Sequence, residues 1–202
     1  MIKNIVFDFG RVIVDFDESK MTRAFVSDEA ILPTVRDTVF DRLYWDKLDL
    51  GTITDDEVKA GIASRLPSEL IPAAHAAYDH WLDHIDIIPG IEDAIRMAKE
   101  KADGIYLLSN ISIKFVKEYP SFPHIHHILS LFDGLVFSGP LHMVKPDAAI
   151  FRHLLDTYGL RAEETLFIDD SEKNIAGAAA LGIHTYLFDG NAARLTEYLH
   201  SL

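Results

Sequence analysis

Five short apolar runs recur along the chain, and four of them stop on polar or charged side chains. The runs are Ile5-Val6-Phe7, Ile105-Tyr106-Leu107-Leu108, Leu135-Val136-Phe137, Thr165-Leu166-Phe167-Ile168 and Ile183-His184-Thr185-Tyr186-Leu187-Phe188. A strand half exposed to water alternates apolar and polar residues, so a short continuous run reads as a strand buried on both faces. Helical patterns lie between the runs. Pro89-Gly90 precedes Ile91 to Lys101, where Ile91, Ala94, Ile95 and Ala98 share one face. Pro146-Asp147 opens a second helix that carries Ile150, Phe151, Leu154 and Leu155 and stops near Gly159. Ser171 is placed to cap a third, alanine-rich helix running from Ile175 to Leu181 and closed by Gly182. This repetition predicts an α/β fold with a doubly wound parallel sheet.

One interval breaks the rhythm. Roughly 95 residues separate the first run from the second, far more than one crossover helix needs. Within it, Met21 to Val26, Ile31 to Leu48, Asp55 to Leu66 and Ile71 to Ile85 carry helical patterns, and Gly51 to Glu57 reads as a turn followed by a capped helix. The expected organisation is an α-helical cap at residues 16–87, inserted into an α/β core built from 1–15 and 88–202.

Composition narrows the partners. The net charge is −13, which disfavours a nucleic acid or an anionic membrane while leaving room for a small anion in a local pocket. The chain has no cysteine, so disulfides, thiolate metal sites and thiol nucleophiles are excluded. No eighteen consecutive residues are apolar, and the opening residues Met1 to Asp8 do not make a secretory signal. The expectation is a cytoplasmic monomer or homodimer.

In an open parallel sheet, ligands bind beyond the carboxyl ends of the strands. The runs end there at Asp8, at Ser109-Asn110, at Ser138-Gly139 and at Asp169-Asp170, and Lys145-Pro146 stands before the helix that follows the third run. Adjacent carboxylates repel and call for a cation. Asp8, Asp169 and Asp170 together offer only oxygen ligands, which suit Mg²⁺. Ser109, Asn110 and Lys145 supply donors for an anion. A magnesium ion beside an anion pocket points to phosphate. The plainer alternative makes Asp170 or Ser171 a helix cap, Ser109-Asn110 the cap of a short helix at Ile111 to Glu118, and Lys145 a solvated side chain.

Taken in order, these stretches resemble the motifs of the haloacid dehalogenase superfamily, and within it the small-molecule phosphatases with a helical cap after the first strand. Val6-Phe7-Asp8-Phe9-Gly10-Arg11-Val12 is similar to the nucleophile loop. Leu107-Leu108-Ser109-Asn110 resembles the second motif and Val144-Lys145-Pro146-Asp147 the third. Phe167-Ile168-Asp169-Asp170-Ser171, with Asn174 and Gly177-Ala178, resembles the fourth. The resemblance implies a Rossmann-like core and hydrolysis of a small phosphorylated metabolite. It makes Asp8 the nucleophile, which forms an aspartyl-phosphate and so splits a hard hydrolysis into two steps. It places Mg²⁺ on Asp8, the backbone carbonyl of Gly10 and Asp170, with Asp169 acting through water or from behind these ligands. Ser109 and the backbone N–H of Asn110 hold phosphate oxygens, and Lys145 stabilises charge on the nucleophile and the phosphoryl group.

One position departs from the pattern. Most such phosphatases carry a second aspartate two residues after the nucleophile, as general acid and base, and here that residue is Gly10. A positioned acid contributes about 10²–10⁴-fold. Either the leaving group needs little protonation, as an anomeric hydroxyl does, or the cap, water or the substrate supplies the proton. The Asp-x-Gly-x-Val loop is similar to that of the bacterial glucose-1-phosphatase branch, so a sugar 1-phosphate is the working expectation. Two alternatives stand beside it: a 2-haloacid dehalogenase, in which Asp8 attacks carbon without a metal, and a catalytically impaired phosphometabolite-binding protein. Asp169-Asp170 argues against the dehalogenase, because two acids around a carboxylate nucleophile are costly without a cation.

The remaining features read more plainly. Arg11 is expected to pair with Asp15 or Asp17. His80 and His84, four apart on a helical pattern, read as a polar face, and His124, His126 and His127 as surface residues of a loop-like stretch. Tyr44-Trp45 reads as core, with stacking on a sugar as its alternative.

Overall fold

All five apolar runs form strands in the computed structural model, which describes all 202 residues. Strand β1 (Asn4–Phe7) leads through a short β2 (Val14–Asp15) into five helices: α1 (Glu18–Arg23), α2 (Leu32–Val39), α3 (Arg42–Asp49), α4 (Asp55–Ala63) and α5 (Ile71–Asp79). After β3 (Asp86–Ile87) come α6 (Ile91–Lys101), β4 (Gly104–Ser109), α7 (Ile113–Glu118), α8 (Pro123–Leu129), β5 (Gly134–Phe137) and α9 (Ser138–Leu141). The chain closes with α10 (Ala148–Tyr158), β6 (Thr165–Asp169), α11 (Glu172–Ala179), β7 (His184–Leu187) and α12 (Ala192–His200).

The main sheet is parallel, in the order β5-β4-β1-β6-β7. The chain winds outward from β1 through β4 and β5, then crosses back to β6 and β7 on the other side. That reversal lies between β1 and β6, where a Rossmann-like sheet opens a crevice at its carboxyl edge. Both faces are covered. Ile5 and Phe7 point into a core shared with α6, α12 and the inserted helices, while Val6 points to the opposite face, against Phe151 of α10 and Ala178 of α11. Burying one such side chain contributes about 1.5–3 kcal/mol, so a strand apolar at every position is held from both sides.

The inserted helices are tied to the core by β2 and β3, which pair antiparallel, Val14 with Ile87 and Asp15 with Asp86. This small sheet has no signature in the sequence, since two residues are too few for a periodic signal. At α4 the anticipated cap is present: Thr54 accepts from the Glu57 N–H and the Glu57 side chain reaches back to the Thr54 N–H.

Several local expectations need correction. The helical pattern from Ile31 to Leu48 is two helices, α2 and α3. Asp41 is extended and its carboxylate accepts from the Leu43 N–H at 2.9 Å, so it starts a new helix. The Trp45 indole N–H meets the Val39 carbonyl at 2.8 Å, satisfying a group that the end of α2 leaves free. The first inserted helix begins at Glu18, earlier than Met21, because Asp17 caps it through the Lys20 N–H. The pattern from Ile71 onward leaves the α-helix at Asp79 and tightens into a 3₁₀ turn at Trp81–His84. The stretch around His124 is helix α8, with Pro123 in its first turn and Ile125, Ile128 and Leu129 turned inward. Helix α7 is capped by Ser112, whose hydroxyl accepts from the Phe115 N–H, and not by Ser109-Asn110. No helix is long and apolar enough to cross a membrane.

Candidate active site

The register of the sheet brings the acidic residues together. Phe7 of β1 lies opposite Ile168 of β6, and the Asp8 N–H donates to the Ile168 carbonyl at 2.9 Å, continuing the ladder past the strand. Asp8 and Asp169 therefore emerge side by side across the switch point. Carboxylate oxygens of Asp8, Asp169 and Asp170 all fall within 4.8 Å of one another.

Lys145 arrives from the other direction, on the loop before α10. It is 4% exposed, and its Nζ donates to Asp8 Oδ1 at 2.7 Å and to Asp169 Oδ2 at 2.8 Å. Its backbone is held by Asn110, whose Oδ1 accepts from the Lys145 N–H at 2.8 Å and whose Nδ2 donates to the Lys145 carbonyl at 2.9 Å. The sequence marks Asn110 for its backbone N–H alone. The clamp formed by its side chain has no local signature, because its partner lies 35 residues away. The Lys145–Pro146 peptide is cis.

The two strand-end carboxylates are held differently. Asp169 is fully buried, and both of its oxygens are engaged: Oδ1 accepts from the Ser171 N–H at 2.8 Å and from Asn174 Nδ2 at 3.0 Å, and Oδ2 from Asn174 at 3.1 Å besides Lys145. Ser171 thus gives its N–H to Asp169, and its side chain makes no capping hydrogen bond to α11, contrary to the plainer reading. Asp8 is 8% exposed, and only its Oδ1 is engaged, by Lys145 and by the Phe9 N–H at 2.7 Å. Its Oδ2 takes no hydrogen bond from the chain.

The electrostatics follow from burying three acids beside one lysine. Burial pushes the Asp8 carboxyl up to about 7, the charge of Asp169 adds to the rise, and Lys145 opposes it. Asp170 is also raised, first by burial and then by Asp169, with Arg11 pulling the other way. Burial alone would lower Lys145, but the two carboxylates beside it outweigh that and hold it above the usual lysine range. A cluster with more negative than positive groups, in a site with little water, is completed by a cation.

The other marked residues fall around this centre. Ser109, at the end of β4, is 1% exposed. Gly10 has room in front of it: a Cβ built there would meet nothing within 4 Å. Arg11 sits in the left-handed region at φ 60°, and its guanidinium lies 3.7 Å from Glu18, not on Asp15 or Asp17. The left-handed turn swings it onto the first turn of α1. Trp45 is core: it packs against Phe16, Phe40 and Trp81, with ring centroids 5.2–5.6 Å apart. His80 meets Asp83, and His127 meets Glu92, each as a surface pair.

Comparison with known proteins gives the family. The haloacid dehalogenase-like hydrolase family matches residues 2–182. The chain is 30% identical over 209 residues to D-ribitol-5-phosphate phosphatase of Bacteroides thetaiotaomicron, covering 100% of both chains. It is 27% identical over 200 residues to drimenol cyclase drtB of Aspergillus calidoustus, of which it spans only 34%. Among solved structures it superposes, with a TM-score of 0.70 and 26% identity, on a HAD family enzyme of Bacteroides thetaiotaomicron in complex with magnesium and inorganic phosphate, covering 95% of this chain and 96% of that one. On the match to residues 2–182 and the full-length relative, the chain belongs to the haloacid dehalogenase-like hydrolase family.

Proposed function

We propose that this protein is a Mg²⁺-dependent phosphatase of a small phosphorylated metabolite, acting through an aspartyl-phosphate on Asp8. The observation that carries the reading is the asymmetry of the Asp8 carboxylate: Oδ1 is fixed by Lys145 and the Phe9 N–H, while Oδ2 is left without a donor. An oxygen held this way is oriented and free to attack phosphorus.

The donor set fits magnesium: three carboxylates within reach of one another, no nitrogen and no sulfur. Asp8, Asp170 and the backbone carbonyl of Gly10 would hold the ion. Asp169, with its oxygens engaged by Lys145, Asn174 and the Ser171 N–H, supports them from behind. When bound, the ion supplies positive charge that offsets repulsion between the carboxylate and the incoming phosphate. Ser109 and the Asn110 N–H bind phosphate oxygens. Lys145 faces both the nucleophile and the phosphoryl group, and the Asn110 clamp keeps its backbone in place. Fixed donors of this kind carry most of the stabilisation in phosphoryl transfer.

Within the class, a sugar 1-phosphate is the finer proposal, since an anomeric hydroxyl leaves with little help from an acid and Gly10 supplies none. The relative that acts on D-ribitol-5-phosphate supports a phosphorylated sugar or polyol. The dehalogenase alternative is weaker, because without a metal it leaves Asp170 beside Asp8 and Asp169 with one lysine to offset three carboxylates.

The test is hydrolysis of an aryl phosphate by purified protein. Activity should require Mg²⁺ and disappear in Asp8→Asn, a loss of at least about 10⁴-fold, with the circular dichroism spectrum unchanged. Activity that survives chelation, or that survives in Asp8→Asn, would overturn the reading.

A further inference from the structure

The phosphatase reading leaves the leaving group without an acid, and the cap holds a carboxyl that no other feature explains. Asp49 is the last residue of α3. It is partly buried, and its side chain makes no hydrogen bond or ion pair within the chain, whereas Arg42 and Asp46 of the same helix pair with each other at 3.4 Å.

The backbone around Asp49 is fastened to the core. Ser138 Oγ donates to the Asp49 carbonyl at 2.5 Å and accepts from the Ile111 N–H at 2.8 Å. His142 Nδ1 meets the Leu50 carbonyl at 3.0 Å. Gly51, at φ +69°, lies so close to the core that a Cβ would sit 2.2 Å from the Gly139 carbonyl oxygen. Gly139 in turn is pressed on Ile111 and Ile113, where a Cβ would come within 2.8 Å of backbone atoms. Three backbone layers are thus stacked: the end of α3, the segment after β5, and the loop that follows Ser109-Asn110. The stack holds the Asp49 backbone, through Ser138, against the segment that directly follows Ser109-Asn110. A groove of about 450 Å³ lies beside the end of α3, lined by the Asp49 chain neighbours Leu48 and Gly51 and, from the core, by Ile113 and Lys117.

We propose that Asp49 is the general acid and base of this enzyme, a catalytic group delivered by the cap in place of the carboxylate that Gly10 lacks. The proposal rests on the phosphatase reading. As Asp8 Oδ2 bonds to phosphorus, the bond from phosphorus to the alcohol oxygen breaks, its electron pair goes to that oxygen, and the Asp49 carboxyl gives it a proton. The Asp49 carboxylate then takes a proton from water as the water oxygen bonds to phosphorus. The bond from phosphorus to Asp8 breaks, and both aspartates return to their starting states. An acid supplied this way widens the substrate class from anomeric phosphates to ordinary alkyl phosphates, with sugar 1-phosphates as one member.

The surroundings suit that task. Burial raises the Asp49 carboxyl to about 7 and the charge of Asp46 adds to the rise, while Arg42 and Lys145 oppose it. Of the charges that act on Asp49, Lys145 is the one that comes from the core. A carboxyl poised near neutrality can both give and take a proton.

Leaving-group dependence separates this role from a structural one. With saturating Mg²⁺, kcat/KM is measured for aryl phosphates of graded leaving-group pKa and for an alkyl phosphate, in wild type, Asp49→Asn and Asp49→Glu. Asp49→Asn should lose about 10²–10⁴-fold on the alkyl phosphate and less than about tenfold on p-nitrophenyl phosphate. It should also show a burst of phenol release as aspartyl-phosphate accumulates, and lose the alkaline limb of the pH profile. Asp49→Glu should regain part of the alkyl activity. Equal loss on all substrates, or no loss, overturns the proposal while leaving the phosphatase reading intact. A wild type inert toward every phosphate, with Mg²⁺ present, sinks both.

Discussion

The carboxyl edge of the sheet and the end of α3 present the same chemical group, an aspartate, and deliver it by different physical means. Asp8 and Asp169 are aimed by strand register, since residues that follow paired, fully buried strands emerge next to each other. Asp49 is aimed by a clasp between cap and core, made of Ser138, His142 and two closely approaching glycines. The first arrangement is rigid and local to two neighbouring strands. The second exists only while the cap is seated. On the proposed roles, the nucleophile is aimed by the sheet alone, whereas the group acting as acid and base depends on the contact between the end of α3 and the core.

The largest effect that could break this contrast is on the core side. Replacing Lys145 with Met leaves Asp8 and Asp169 buried without their shared cation. The expected cost is about 3–5 kcal/mol in urea unfolding, with activity lost and stability partly restored by Mg²⁺. A variant as stable as wild type without metal would show that the cluster is less enclosed than its geometry indicates. On the cap side, Trp45→Ala removes the centre of the Phe16, Phe40 and Trp81 cluster. It should cost about 3–5 kcal/mol, and the folded fraction should keep its KM for an aryl phosphate. A raised KM with unchanged stability would instead return Trp45 to the substrate.

Protons sharpen the comparison further. Asp8 stands near 7 in the metal-free fold, above the ordinary carboxylate value, so between those limits the folded chain holds a proton that the unfolded chain has lost. Metal-free stability should therefore fall as pH rises through that window. Mg²⁺ needs the carboxylates ionised, so its affinity should rise with pH up to about 7, by about tenfold per unit for each proton displaced, and level off above it. Calorimetry in buffers of different ionisation enthalpy counts those protons. The smallest expected change is at Gly10. Its surroundings leave open space for a side chain, so Gly10→Asp should fold with stability within about 1 kcal/mol of wild type. Placed in an Asp49→Asn background, it should recover alkyl-phosphate turnover, an acid from the core standing in for one from the cap.

Much of the core is legible in the amino-acid sequence. Each strand of the main sheet announces itself as a short apolar run, and Asp8, Ser109-Asn110, Lys145 and Asp169-Asp170 stand out by their positions relative to those runs. The role of the Asn110 side chain does not, because a clamp on Lys145 needs two loops to meet. The cap is less legible. Its apolar spacing runs on through Phe40 and Asp41, hiding the break between α2 and α3, since both helices bury residues in the same interior. Two prolines make the stretch around His124 resemble a loop when one of them opens a helix. Asp49 looks like one acid among many.

The amino-acid sequence by itself determined the parallel sheet and the kinds of group at its carboxyl edge. Those follow from apolar patterning and burial, which are properties of short segments. The tertiary structure alone decided that Asn110 clamps Lys145, that Arg11 meets Glu18, and that Ser138 holds the Asp49 carbonyl. Each of these depends on contacts between separate segments of the chain, and no local spacing encodes where two such surfaces will touch.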